Sequence, residues 1–160
     1  MPDTREPIET SMRRIEAQSV LFSPVISRLA VLGLRQVSGA CRPARVNVWR
    51  NHAVEPVIEL ARPYLEFGRW QIEFSLGDYD DSLLYASHVP ADLELLWLDS
   101  TRYSALGPVD AWLDWLGNRI GALRAMTSTP IILATWLEDA GLRPLLAALV
   151  DSFPGVHLAD

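Results

Sequence analysis

Apolar positions along the chain follow two rhythms. The runs at 46–49 (VNVW), 93–98 (LELLWL) and 131–136 (IILATW) lack the alternation of a half-exposed strand, the pattern of parallel strands covered on both faces. A fourth segment, 70–74, sets Trp70, Ile72 and Phe74 against Gln71 and Glu73, which predicts an edge or half-covered strand. A short fifth strand is expected at 156–159.

Between these runs the period lengthens to that of helices. Residues 53–67 carry Val54, Val57, Ile58, Ala61 and Leu65 at helical spacing. Pro56 is tolerable only in a first turn, so the helix should start near Val54 or Glu55. Pro63 predicts a kink or early end, and Gly68 sits where a left-handed C-terminal cap belongs. Residues 108–126 show the clearest stripe, with Val109, Trp112, Leu113, Leu116, Ile120 and Leu123 on one face. A last helix is expected over 141–152, stopped by Pro154 and Gly155, while 80–87 has room for no more than two turns.

Strands alternating with helices imply a three-layer α/β domain of about five parallel strands, with right-handed crossovers placing helices on both faces. That order reads as flavodoxin-like or a near relative. Ahead of it lies a helical arm in which Ser23 could cap a helix beginning at Pro24 and running through Val25, Ile26, Leu29, Leu32 and Val37 to Gly39. The expected organisation is an arm over 1–43 packed on an α/β domain over 44–160. No internal repeat or low-complexity tract interrupts it.

Composition narrows the function. In 160 residues, 49% are apolar and 21% charged, a balance that excludes wholesale disorder. The longest clean apolar run is 145–150, far short of a membrane span. The mixed charges of the first twenty residues are not those of a signal peptide, so a cytoplasmic protein is expected. With 14 basic residues, all arginine and scattered, against 20 acidic, the net charge of -6 disfavours a duplex nucleic acid partner. Cys41 is the one cysteine, and with three scattered histidines it makes no structural zinc site; no metal or cofactor is implied.

Open parallel sheets bind ligands beyond the carboxyl ends of their strands, near the point where strand order reverses. That rule nominates Arg50, Asn51 and His52 after the first strand, Asp99 to Arg102 after the third, Thr135 and Trp136 after the fourth, and Asp160 at the end. In a flavodoxin-like order the first and third strands adjoin, so Asn51, His52, Asp99 and Arg102 should converge; with Thr135 and Trp136 they form the candidate ligand-binding set. Each also has a plain role: Asn51 and Asp99 can cap turns, and Arg102 can neutralise Asp99. The acidic stretch Asp78, Tyr79, Asp80, Asp81 is no calcium loop of the EF-hand type, because Leu83 and Val89 stand where glycine and a carboxylate are required. Most of the six tryptophans fall at core positions, with Trp136 kept as a candidate contact. No phosphate-binding glycine loop, nucleophile elbow or Asp-x-Asp-x-Thr phosphatase motif occurs.

The segments VNVWRN, HAVEPVIELARPYL, WQIEFSLGDYDDSLL and ADLELLWLDSTRY, followed more loosely by WLDWLGNRIGALRA, TPIILATW and GVHLAD, resemble the N-terminal domain of FkbH-like proteins. These are haloacid-dehalogenase-type proteins of polyketide and polysaccharide biosynthesis. The resemblance implies an SGNH-hydrolase-like variant of the flavodoxin-like sheet and a role in glyceryl or acyl chemistry on an acyl carrier protein. Implied partners are the phosphopantetheine-bearing carrier, a partner catalytic domain and a small phosphorylated substrate. The chain departs from that pattern twice. It stops at Asp160, where the family continues into a phosphatase-like domain, so a fragment or a stand-alone homologue is expected. Where SGNH hydrolases carry their serine, this chain has Arg50, Asn51 and His52, and neither an amide nor a guanidinium can act as an activated hydroxyl. The leading expectation is therefore a non-hydrolytic binding domain. The alternatives are an esterase or acyltransferase using Ser100 or Thr101 with His52 as base and Asp99 to orient it, and a docking domain that engages a partner enzyme through the arm.

Overall fold

The computed structural model describes residues 5–34, 40–79, 82–136 and 141–159. Among them are five strands, β1 (Arg42–Arg50), β2 (Trp70–Leu76), β3 (Leu93–Asp99), β4 (Ile131–Trp136) and β5 (Val156–Leu158). The helices are α1 (Arg5–Leu21), α2 (Arg28–Gly33), α3 (Glu55–Phe67), α4 (Val109–Met126) and α5 (Leu142–Asp151), with 3₁₀ turns at Ser82–Leu84 and Ser100–Leu106. The strands form one all-parallel sheet in the order β2-β1-β3-β4-β5. This is the flavodoxin-like three-layer arrangement with helices on both sides, and its strand order reverses beside β1 and β3. The alternation at 70–74 is that of an edge strand, which β2 is. No described helix is long and apolar enough to cross a membrane.

The chain divides into two compact units, one of residues 1–44 with 54–73, the other of 45–53 with 74–160. In the first, α1, α2 and α3 share a small core of Ala17, Leu21 and Val31, with Leu60, Tyr64 and Phe67 against it. The Phe22 ring meets Tyr64 and Phe67 edge-on at 6.3 and 5.4 Å, and the Arg14 guanidinium lies 4.1 Å above the Phe67 ring.

Three local expectations are corrected in this unit. The arm does not start a helix at Pro24: the Ser23 hydroxyl closes on residue 25, donating to its carbonyl and accepting from its N–H. That local turn competes with capping, and α2 starts later, with Ser27 accepting from Ala30 N–H. The expected positions Val37 and Gly39 lie outside the described residues. Nor does Pro63 end α3, which runs on to Phe67 with the proline ring buried. Gly68 is not left-handed (φ -72); Arg69 takes that conformation (φ 63), and its carbonyl accepts from Arg42 N–H at 2.8 Å. The glycine instead permits close approach, since a Cβ there would meet the Leu65 carbonyl at 3.3 Å.

The second unit holds the larger core. On α4 the residues Trp112, Leu116, Ile120 and Leu123 are buried against sheet residues such as Leu96, Leu98, Ile131 and Leu133. Each contributes about 1.5–3 kcal/mol by leaving water. Val109, expected on this stripe, is exposed, because the stripe begins one turn later at Trp112. Leu146 and Val150 complete the core from α5. Arg124 then clamps the far end of α4, donating to the carbonyls of Thr127, Thr129 and Gly155. Gly155 needs to be glycine there, at φ 69.

Candidate functional site

β1 and β3 run side by side in register, Arg50 opposite Trp97, so their carboxyl ends deliver Asn51 and Asp99 to the same rim. Asn51 is the centre of what forms there. Its Nδ2 donates to the Asp99 carbonyl at 3.0 Å, and the Asp99 N–H donates back to Oδ1 at 2.7 Å. A carbonyl can only accept and an amide N–H only donate, so these two bonds set the orientation of the Asn51 amide. They also settle the histidine next to it: His52 Nδ1 lies 2.9 Å from Asn51 Oδ1, an acceptor, so Nδ1 carries the proton and Nε2 is the basic nitrogen. The imidazole stacks on Trp97 at 5.7 Å between centroids.

Arginines frame this core. Arg102 Nη1 donates to the Asn51 carbonyl at 2.7 Å while its Nε lies 3.8 Å from Asp99 Oδ2. The buried Arg50 donates from Nε to the Gly77 carbonyl at 3.0 Å, with its guanidinium 4.2 Å above the Tyr79 ring. Burial lowers the His52 pKa below its ordinary value, assisted by Arg102 and Arg50 and opposed by Asp99; the ring is neutral at pH 7. The Thr101 hydroxyl, above all, holds the Asp99 carboxyl below the usual carboxylate range. Burial raises the Tyr103 hydroxyl to about 12, against a hydrogen bond from Asn51.

The structure thus brings Asn51, His52, Asp99 and Arg102 together. Thr135 and Trp136 sit one strand further along, register-paired with Leu98 and Asp99; the Trp136 side chain and Asp160 lie outside what is described. Among the hydroxyls, Thr101 donates to Asp99 Oδ1 at 2.6 Å, with its N–H bound to the same oxygen at 3.0 Å. Ser100 is buried at the start of the 3₁₀ turn. The partner of His52 Nδ1 is Asn51, and the partner of the Thr101 hydroxyl is Asp99. A relay from hydroxyl to imidazole to carboxylate would require the opposite pairing. What the rim offers is two guanidinium groups, a neutral imidazole and an ordered loop backbone, a set suited to holding an anionic group.

Sequence reasoning passed over Tyr103, Tyr79 and Gly77 as members of this cluster, for which local spacing carries no signal. It also passed over a buried polar centre on the same two strands. Glu94 is fully enclosed, and its carboxylate accepts from Asn47 Nδ2 (3.0 Å) and Trp49 Nε1 (2.6 Å) and faces His88 Nε2 at 3.1 Å. The one carboxylate inside LELLWL was its signal. Among the described residues no cluster of side chains could hold a metal ion.

No family model matches the chain, and no curated protein matches it. A solved structure does: the crystal structure of the N-terminal part of the protein BF1531 from Bacteroides fragilis, containing a phosphatase domain complexed with Mg. It is 9% identical, with a TM-score of 0.56, over 94% of this chain and 44% of that one. The likeness shows a related fold, and the chain spans less than half the length of that relative.

Proposed function

We propose that this chain is a non-hydrolytic binding domain of the FkbH-like type, which positions a phosphorylated or carrier-linked substrate for glyceryl or acyl chemistry carried out by a phosphatase-like catalytic domain. The observation that carries the reading is the rim itself: Arg50 and Arg102 flank a neutral His52 and an Asn51 locked to Asp99, while the Thr101 hydroxyl is committed to that carboxylate. Anion-holding groups are present without an activated nucleophile at the position where an SGNH-like enzyme needs one. The fold shared with the N-terminal part of BF1531, a protein whose structure contains a phosphatase domain, is compatible with this reading. The ligand class is a phosphate ester, presented either by a phosphopantetheinylated acyl carrier protein or by a free small molecule such as a phosphoglycerate.

Calorimetric titration of the full chain with holo carrier protein, apo carrier protein and phosphoglycerate tests it. Binding of holo carrier or phosphoglycerate, weakened about tenfold or more by Arg102→Ala through loss of a charge-assisted hydrogen bond, is expected. No binding to either, or an affinity indifferent to Arg102→Ala, overturns the proposal.

A further inference from the structure

Two pieces of chain cover one face of the sheet and meet along a seam. Glu94, Leu96 and Leu98, two positions apart on β3, share that face, and α4 buries it with Trp112, Leu116, Ile120 and Leu123. Over β1 the cover is the segment 82–88, whose Tyr85 ring is 2% exposed and meets Trp49 edge-on at 5.0 Å. At 100° per residue, residues 112, 115 and 119 fall within about 60° of one another, on one edge of the buried face of α4. Tyr103 packs on both indoles of that edge, 6.0 Å from Trp112 and 4.9 Å from Trp115. Tyr103, Trp115 and Arg119 are half-buried, so the edge opens to solvent.

Three hydrogen-bond donors along this seam have no acceptor. Among the described residues, Tyr85 Oη, Trp112 Nε1 and Arg119 Nε are shielded from solvent and meet no hydrogen-bond partner. Such atoms are rare in folded proteins, and each calls for an explanation. Burial raises the Tyr85 hydroxyl above its ordinary pKa, opposed by Arg119 and assisted by Tyr103 and Glu94, so the hydroxyl stays protonated and within electrostatic reach of all three. No carboxylate among the described residues pairs with Arg119. An indole and a guanidinium can only donate, so the missing group is an acceptor. One guanidinium balances one negative charge, whereas a dianionic phosphate would leave its second charge enclosed and uncompensated. The aromatic walls favour an apolar body behind that charge. A carboxylate monoanion on a short hydrocarbon stem meets both conditions.

We propose that the seam between α4 and the segment 82–88 binds a small organic carboxylate, with Arg119 and Tyr85 on its oxygens and Tyr103 and Trp115 against its apolar stem. The site goes beyond the function argued for the strand rim and takes a different ligand from the phosphate ester placed there. Propionate titrated into the full chain, followed by the indole N–H signals in proton–nitrogen NMR spectra, is expected to move the Trp112 signal saturably in the millimolar range. Arg119→Gln and Tyr85→Phe, each with an unchanged circular dichroism spectrum, should weaken that binding about tenfold by removing a hydrogen bond to a charged group. Propionamide, the uncharged analogue, should not bind, and Arg102→Ala at the rim should leave the propionate affinity as it was. A Trp112 signal that shows no saturation at about 100 mM propionate overturns the proposal. So does an affinity indifferent to Arg119→Gln, equal binding of propionamide, or binding lost with Arg102→Ala, which would move the carboxylate to the rim.

Discussion

Asn51, just past the end of β1, and Glu94, on the neighbouring β3, are each held by several hydrogen bonds, yet in different surroundings. Asn51 bonds chiefly to backbone, at the rim where loops meet, so holding it still also fixes the start of the turn after β3, while its own carbonyl receives Arg102. Among the described residues, the Glu94 carboxylate is reached by the side chains of Asn47, Trp49 and His88. Trp49, which donates to it, is stacked parallel to His88 at 6.2 Å and packed edge-on against the buried Tyr85 at 5.0 Å. The first arrangement leaves the Arg102 and Asp99 side chains partly exposed, at 54 and 29%. The second encloses the Glu94 side chain completely, and a buried polar group is tolerable only while its hydrogen-bond partners stay in place. Similar sets of hydrogen bonds therefore sit beside partly exposed charged groups in one place and inside a closed core in the other.

The contrast can be broken most severely at Glu94. Glu94→Ala removes the shared partner of Asn47, Trp49 and His88 and should cost about 3 kcal/mol or more of folding free energy by urea denaturation, because buried donors are left unsatisfied. A loss below about 1 kcal/mol would show that the carboxylate is not an anchor. Asn51→Ala should cost less, about 2 kcal/mol, because it orphans the Asp99 N–H and carbonyl at a rim that water can partly reach. It should also abolish the ligand binding proposed for that rim, whereas Glu94→Ala, in the fraction that remains folded, should not.

The smallest effect concerns pH. The His52 pKa is lowered in the folded state, so near its ordinary value of 6.5 the unfolded chain binds more protons, and stability rises with pH. The contribution is complete above that value and is lost as the pH falls from it towards the folded pKa. NMR titration of the His52 ring should place its midpoint below 6.5, and His52→Gln should flatten this part of the stability profile. A midpoint above 6.5 would mean that Asp99, not burial, governs the ring.

Much of the framework was legible from side-chain periodicity. The limits of β4 were read without error from IILATW, and α4 to within a residue, because both elements bury apolar side chains and the burial is written into the spacing. The flavodoxin-like order then carried Asn51 and Asp99 to a common rim. Where the reading failed, the deciding contact was not in the local pattern. Pro63 is accepted inside α3 because its ring has a buried place to go. Arg69 takes the left-handed position beside Gly68 while its carbonyl receives Arg42.

From the chain alone come the alternation of strands and helices, the parallel sheet and the want of a serine after the first strand, since hydrophobic spacing and residue type are local properties. Only the folded arrangement decides that Asn51 Oδ1 sets the tautomer of His52, that Thr101 belongs to Asp99, and that a glutamate in an apolar strand is enclosed by an indole, an amide and an imidazole. Those pairings range from residues one to six positions apart to residues 45 and 47 apart, and directional hydrogen bonding, unlike hydrophobic burial, leaves no period in the sequence.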